Sequence, residues 1–180
     1  MSDSTRERIT RTARRIIMEE GVARLTLADV AEKAGISKGG LLYHFPSKEE
    51  LIKGMIKEAL TRFDLNLERL ASEDGKPGAW TRAYVQATFP EESDVLAAPM
   101  IAGIATDPSL LEVYNDEQEA WTCHIEADGI DRVLADVVRL AADGLFFNEA
   151  LGIRPLLPRD RARFLKRLLQ MTKEPAEVKA

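Results

Sequence analysis

The sequence predicts an all-α protein of nine helices. Apolar residues recur at helical spacing along the chain, and beyond Pro77 no strand pattern of any strength interrupts them. Glycine, proline and capping residues divide this pattern into segments of ordinary helix length. The chain has 180 residues, of which 45% are hydrophobic and 31% charged, so it is long enough for one or two globular units with a substantial core.

The first helix is predicted over Thr5–Glu20 and ends at Gly21. Its apolar residues lie on one face and are Ile9, Ala13, Ile16 and Ile17. Five arginines lie mostly on its other faces. Those arginines favour either solubility or contact with a phosphate, and the pattern does not choose between the two.

Two short helices with a tight turn between them follow. Thr26 is placed to cap the first of them, Gly35 to end it in the left-handed conformation, and Ser37 to cap the second. The turn at 35–37 therefore joins two helices at a steep angle. This is the arrangement of a helix-turn-helix, in which one helix enters the major groove of DNA and the other crosses the backbone.

The second short helix begins with Lys38, Gly39 and Gly40, which is a poor start for a helix that only has to be stable. Each glycine costs about 0.8–1 kcal/mol relative to alanine. Small residues do let a backbone approach base edges and phosphates, and Lys38 adds a positive charge. The next helix opens with a capping box of Ser47 and Glu50, so that its N–H groups are placed to meet a phosphate.

Residues 26–51 resemble the DNA-binding signature of the tetracycline-repressor (TetR) family of bacterial regulators, most specifically over 42–49 (Leu-Tyr-His-Phe-Pro-Ser-Lys-Glu). The resemblance covers roughly the first third of the chain. It implies a nine-helix TetR-like fold, with a DNA-binding domain at 1–53 and a ligand-binding and dimerisation domain at 54–180. It also implies a homodimer that binds a pseudo-palindromic double-stranded DNA operator and is released by a small-molecule effector.

On this resemblance, we expect the helix at 37–45 to read DNA bases, and Thr26, Tyr43, His44 and Lys48 to hold phosphates. Base contacts are assigned to Lys38, the Gly39-Gly40 backbone and Leu41. The full set of expected contact residues is Thr26, Ser37, Lys38, Gly39, Gly40, Leu41, Tyr43, His44 and Lys48.

The distribution of charge supports this interpretation. The net charge of −5 argues against a general nucleic-acid binder, yet residues 1–53 carry +2 and residues 54–180 carry −7. This asymmetry fits a basic reading head on an acidic body. A solvated surface of mixed charge would look nearly the same, and the helix-turn-helix motif decides in favour of the first reading.

A long amphipathic helix is predicted over 47–70, and five more helices follow it. In the family, the long helix changes the spacing of the DNA-binding heads when a ligand binds. The five helices are placed near 77–89, 93–106, 108–127, 131–151 and 159–172, with breaks at Pro90, Asp107-Pro108, Asp128-Gly129 and 155–158.

The last two predicted helices carry apolar residues on more than one side, whereas packing against the chain's own core requires only one apolar side. The resemblance implies that they form a four-helix bundle with a second copy, whereas a fully buried monomer core is the alternative. The expected interface residues are Val137, Ala141, Gly144, Leu165 and Leu168.

The body also contains aromatic side chains and carboxylates, which describe either a small-molecule pocket or an ordinary core. Together with the implied fold they favour a pocket, lined by Trp80, Tyr84, Phe89, Met100, Glu117 and Trp121. The run 140–147, together with Leu-Leu-Tyr-His-Phe-Pro at 41–46, resembles the multidrug-responsive branch of the family. Flat apolar cations are therefore candidate ligands, because carboxylates and aromatic faces both attract a cation. An acyl chain, a lactone or an antibiotic is the alternative.

Other classes of function find little support. No apolar run reaches the length of a membrane span and the polar start lacks a signal peptide, so we expect a cytoplasmic protein with no membrane partner. A single Cys123 with His44 and His124 offers no spacing for a metal site, and familiar catalytic motifs are absent. We therefore predict a repressor without cofactors, and a helical enzyme using the same cavity is the alternative.

Overall fold

The computed structural model describes residues 4–89, 94–107, 109, 112–153 and 156–173, and this part of the chain contains nine α-helices and no strand. The all-α prediction is confirmed. The helices are α1 (Thr5–Glu20), α2 (Leu27–Lys33), α3 (Lys38–His44), α4 (Lys48–Asp74), α5 (Ala79–Thr88), α6 (Asp94–Thr106), α7 (Glu112–Glu126), α8 (Arg132–Ala150) and α9 (Pro158–Met171). A short 3₁₀ turn at Val22–Arg24 precedes α2. The predicted breaks at Pro90, Pro108 and Pro155 lie outside the described residues.

The chain forms two compact units. The first unit combines the residues up to Thr61 with Asp94–Asn115, and the second combines Arg62–Ser93 with the residues from Asp116 onward. The first unit thus contains α6, which packs against α1. This division follows packing, whereas the predicted division at residue 53 follows the family motif and stays a prediction. None of the described helices is long and apolar enough to cross a membrane.

The core of the first unit contains buried side chains from α1, α3 and α4 and from the turn before α2. Large side chains in this core that are at most 1% exposed include Ile9, Ile16, Leu25, Leu41, Phe45, Leu51, Ile52, Met55 and Ile56. Each such side chain stabilises the fold by roughly 1.5–3 kcal/mol relative to an exposed position. A polar group also joins α1 to α4, because the carboxylate of Glu58 accepts hydrogen bonds from Thr10 at 2.8 Å and from Arg14 at 3.4 Å.

The second unit is held by α5, α8 and α9, whose buried residues Val85, Val138, Ala142 and Leu168 form one cluster. The start of α5 is capped by Asp128, in the turn that follows α7. The Asp128 carboxylate accepts hydrogen bonds from the backbone N–H groups of Trp80 at 3.0 Å and Thr81 at 2.7 Å. A distant carboxylate therefore does the work that a neighbouring side chain does at most helix starts.

A buried arginine ties three helix ends of the second unit together. The Arg82 guanidinium donates to Asp74 at the end of α4 (2.5 Å), to the Pro77 carbonyl (3.0 Å) and to the Thr172 carbonyl beyond α9 (3.3 Å). Gly78 makes room for it. A Cβ at that position would lie 2.6 Å from Arg82 Nη1, and the backbone there has φ = 81°, which favours glycine.

Candidate nucleic-acid interface and effector site

The helices α2 and α3 form the predicted helix-turn-helix with the predicted caps. The Thr26 hydroxyl accepts a hydrogen bond from the Asp29 N–H at 3.1 Å, and the Ser37 hydroxyl accepts one from the Gly40 N–H at 3.0 Å. Gly35 has φ = 64°, as expected of the residue that ends α2 in the left-handed conformation. Local interactions within this short stretch therefore set where the two helices begin and end.

The outer face of α3 presents a cation, an open stretch of backbone and an aromatic ring. Lys38 and Gly39 are exposed, and no atom lies within 4 Å of the place where a Cβ at Gly39 would stand. Tyr43 is 86% exposed, and its ring meets the edge of His44 at a centroid distance of 5.3 Å. These groups are free to approach a nucleic acid.

The position of Leu41 contradicts its predicted contact with a DNA base. Its side chain is 0% exposed and belongs to the core of the first unit, so it cannot touch a base. A short helix has to bury one face to stay attached, and position 41 lies on that face of α3. Leu41 therefore anchors α3 to the core, whereas Leu42 beside it is 37% exposed.

The orientation of α3 depends on a contact that the sequence analysis missed. The ring of Phe45, directly after α3, lies over Gly54 of α4, where a Cβ would stand 2.5 Å from Phe45 Cε1. The Arg6 guanidinium lies 4.3 Å from the centroid of the same ring. The sequence does contain one indication of this contact, which is a glycine in the middle of a long helix. Glycine lowers helix stability there, so its presence suggests that another group packs closely against the backbone.

The first turn of α4 carries the predicted serine cap and a lysine. The Ser47 hydroxyl accepts a hydrogen bond from the Glu50 N–H at 3.2 Å, and Lys48 stands on the same first turn with its Nζ 3.5 Å from the Val22 carbonyl. The pKa of Glu49 lies below its usual value because of a backbone hydrogen bond and then a bond from Ser47. This turn therefore favours negative charge, as helix N-termini do.

In the second unit, three aromatic rings form a packed group. The centroid of Phe63 lies 4.5 Å from that of Trp121 and 5.6 Å from that of Tyr84. Tyr84 and Trp121 are each 2% exposed. Of the predicted pocket residues, only these two are brought into one ring cluster.

The other predicted pocket residues have different contacts, and the single pocket of the sequence analysis stays a prediction. Trp80 stacks on His124 at 4.1 Å, and Phe89 lies under the guanidinium of Arg161 at 5.0 Å. Glu117 is half-buried on α7. Met100 is buried in the first unit, because α6 packs against α1. Helical spacing gives the side of a helix but not the helix that covers it, so the sequence alone could not separate these residues.

Polar groups surround the ring cluster. The Tyr84 hydroxyl donates to Asp143 Oδ1 at 2.7 Å and accepts from Gln118 at 3.1 Å, while the Trp121 indole N–H donates to Asp64 at 3.1 Å. Burial raises the pKa of the Asp143 carboxyl, against the opposing effects of the Tyr84 hydrogen bond and the Arg139 charge. Two carboxylates beside three rings make a suitable environment for a cation.

The helix α8 exposes an apolar stripe. Val133, Val137 and Leu140 are 70%, 48% and 58% exposed, and Gly144 continues the same face with open space around it. Ala141 and Leu165 are half-buried against the chain's own core. Leu168 is 5% exposed and packs with Val138, so its assignment to a subunit interface was wrong. It lies on the inward face of α9.

Two family models match most of the chain. Residues 9–55 match the model for bacterial regulatory proteins of the tetR family, and residues 78–173 match the tetracyclin repressor-like C-terminal domain. The first match contains α2, α3 and the start of α4. The second begins just before α5 and ends just after α9.

Individual proteins agree with these models. The transcriptional regulator TtgR of Pseudomonas putida is 37% identical over 73 residues, which are 41% of this chain and 35% of TtgR. The chain thus matches about a third of the length of that relative. A transcriptional regulator from Rhodococcus sp. Rha1 has the same fold, with a TM-score of 0.74, 22% identity and coverage of 94% and 96% of the two chains. A regulator from Saccharomonospora viridis solved with choline has a TM-score of 0.68, 22% identity and coverage of 94% and 95%.

Proposed function

Because this chain belongs to the tetracycline-repressor family of bacterial transcriptional regulators, we propose that it is a repressor that binds a pseudo-palindromic operator as a homodimer. A small hydrophobic cation releases it from that operator. The observation that carries the DNA-binding half of this proposal is the exposed outer face of α3, with Lys38, Gly39 and Tyr43. A regulator of this kind works where the chromosome is, so we also propose a cytoplasmic location.

The contacts to DNA divide by chemistry. Lys38 and the open backbone at Gly39 and Gly40 read base edges from the N-terminal turn of α3, where the helix can enter the major groove. Phosphates are held by the remaining polar residues of the motif, which are Thr26, Ser37, Tyr43, His44 and Lys48. The hydroxyls of Thr26 and Ser37 already cap their helices, so their role at a phosphate is secondary to the free N–H groups beside them.

The exposed stripe on α8 supports the homodimer. Val133, Val137 and Leu140 are large apolar residues on one helix face, which a monomer would leave in water. A second copy would cover them with its own stripe, related by a two-fold axis. The same axis relates the two reading helices, so the operator would carry two inverted half-sites.

The effector site is proposed at the cluster of Phe63, Tyr84 and Trp121. The carboxylates of Asp64 and Asp143 lie beside these rings, and this combination favours a cation with an apolar body. The choline bound to the S. viridis regulator is a small cation and agrees with this class. Tyr84 and Trp121 are almost fully buried, so the ligand has to displace one of them on entry.

Displacement of a ring would act on α4 directly. Phe63 and Asp64 both belong to α4, and both contact Trp121. The same helix continues without a break to Lys48 in the first unit. A ligand that binds the operator-bound and free states with different affinity therefore shifts the equilibrium between them through α4.

The test combines DNA binding with tryptophan fluorescence. Operator fragments are recovered from a genome-wide binding map, and release of the protein is followed in a gel shift with ethidium-like dyes and with choline. We expect one of these cations to quench the tryptophan fluorescence and to release the DNA. Operator DNA should weaken cation binding by the same factor by which the cation weakens operator binding. If none of the cations does either while an acyl compound or a lactone does, the cation assignment fails and the DNA-binding assignment stands. If no fragment is bound specifically, the repressor proposal fails.

A further inference from the structure

The second unit has a cleft of about 700 Å³ at the end where α4, α5 and α9 meet. Its lining residues are Asp74, Lys76, Pro77, Arg82, Gln86, Gly129, Ile130, Leu169, Thr172 and Lys173. None of the rings proposed for the effector is among them. A volume of this size lies within the range of roughly 300–1,000 Å³ that small-molecule sites occupy. The cleft is thus a second candidate site, separate from the ring cluster.

The charge of the lining is opposite to that of the chain. Three cationic side chains, Lys76, Arg82 and Lys173, face one carboxylate, Asp74, although the whole chain carries −5. A hydrogen bond from Arg82 holds the pKa of Asp74 below its usual value, and the charges of Arg82, Lys76 and Lys173 add to this effect. The two lysines therefore act on the same point inside the cleft.

Arg82 and the two lysines differ in burial and in the hydrogen bonds that they make. Arg82 is buried and bonded to Asp74, Pro77 and Thr172, so it forms part of the wall. Lys76 and Lys173 are exposed, and within the described part of the chain neither ammonium group has an ion-pair or hydrogen-bond partner. Both ammonium groups act on the Asp74 carboxylate, and because they are exposed they can also approach an anion in the cleft.

The rest of the lining is apolar or able to form hydrogen bonds. Pro77, Ile130 and Leu169 supply apolar surface, and Gln86 supplies an amide. A ligand that uses both parts of this cleft needs a negative group and a body that gains by leaving water. A bare inorganic anion would use only the first, and a neutral apolar molecule only the second.

We propose that this cleft binds a small organic anion, a carboxylate or sulfonate, with its charged end between Lys76 and Lys173 and its apolar body against Ile130 and Leu169. Such a ligand lies against the Arg82 bridge from α4 to the residue after α9. Its binding stabilises that bridge and raises the melting temperature. The proposal concerns a ligand of opposite charge to the effector and does not depend on DNA binding.

The experiment uses the full chain without DNA and the fluorescent anion 8-anilinonaphthalene-1-sulfonate as the probe. The double variant Lys76→Glu/Lys173→Glu is compared with Lys57→Glu/Lys166→Glu, which makes the same change of charge at exposed lysines outside the cleft. We expect the first variant to bind the dye at least about tenfold more weakly, because a charge-assisted contact is lost, and the second to bind like wild type. All four positions are exposed, so circular dichroism should show both variants folded.

Competition identifies the ligand class. Decanoate should displace the lysine-dependent part of the dye and raise the melting temperature, whereas decanol and inorganic phosphate at equal concentration should do neither. Equal dye binding by the two double variants would overturn the proposal. Displacement by decanol as effective as by decanoate would refute the role of the charge, and equal displacement by phosphate would refute the role of the apolar wall.

Discussion

The ring of Phe45 fills the space that any side chain at Gly54 would need. A Cβ on Gly54 would stand 2.5 Å from Phe45 Cε1, and the guanidinium of Arg6 covers the ring at 4.3 Å from its centroid. One aromatic ring thus connects the end of α3 to α4 and to α1. Because the ring is 1% exposed, a change at Gly54 has to move either the ring or the helix that carries it.

The variant Gly54→Ala should therefore destabilise the protein. Crowding at a packed site costs typically about 1–3 kcal/mol, which exceeds the gain of about 0.8–1 kcal/mol from replacing glycine by alanine in a helix. Urea unfolding measures the difference, and gel shifts should show weaker DNA binding because α3 is displaced. A variant as stable as wild type would mean that Phe45 does not hold α3 in this way.

The matched control is Gly39→Ala on α3. Nothing lies within 4 Å of a Cβ there, so stability should stay equal or rise by up to about 1 kcal/mol. Operator affinity should nevertheless fall, because the added methyl group keeps the backbone away from the bases. Undiminished affinity for the operator would remove the Gly39 backbone from the proposed DNA contacts.

Two lysines should separate base reading from phosphate binding. Lys48→Ala should weaken binding to all DNA sequences about equally and lower the salt slope of log K by about one unit, because it removes one phosphate contact. Lys38→Ala should instead relax the preference at one or two base pairs, each worth about 1–3 kcal/mol. Titrations on operator and random DNA at several salt concentrations distinguish these outcomes, and equal losses on both DNAs for both variants would contradict the division.

The stripe on α8 gives a test of assembly. Val137→Glu should convert the protein to a monomer in sedimentation and abolish specific DNA binding, because a charge would enter the proposed interface. Leu65→Glu is the control. Leu65 is 62% exposed on α4 and does not belong to the α8 stripe, so this variant should remain a dimer. A dimeric Val137→Glu variant would place the interface elsewhere. Leu168→Glu is unsuitable, because it would bury a charge in the core.

The Asp143 carboxyl should make stability depend on pH. Burial raises its pKa in the folded protein above the ordinary value of 3.8, so between these two values the folded state binds more protons than the unfolded state. This contribution makes stability fall as pH rises through that window. Asp143→Asn keeps the shape and removes the titration, so its stability relative to wild type should increase with pH there. Urea unfolding from about pH 4 to about pH 7 measures it, and a constant difference would contradict the assignment.

The sequence by itself determined the all-α class and the helix-turn-helix, although α4 runs to Asp74, beyond its predicted end at residue 70. Thr26, Gly35 and Ser37 end or begin their helices as predicted, and α1 has the predicted bounds. These features were accessible because caps and left-handed turns depend on bonds between residues three or four positions apart. The family resemblance depends on the same short stretch, and the family models confirm it.

Only the tertiary structure decided which face of each helix is covered and by what. Leu41 and Leu168 turned out to be core residues, and Met100 belongs to the first unit. Asp128 caps a helix start 47 residues earlier, and Arg82 reaches a carbonyl 90 residues later. The periodicity of a helix shows that a side is apolar but carries no information about its partner. Partners are set by the packing of distant segments, where shape, charge and buried hydrogen bonds have to be satisfied together.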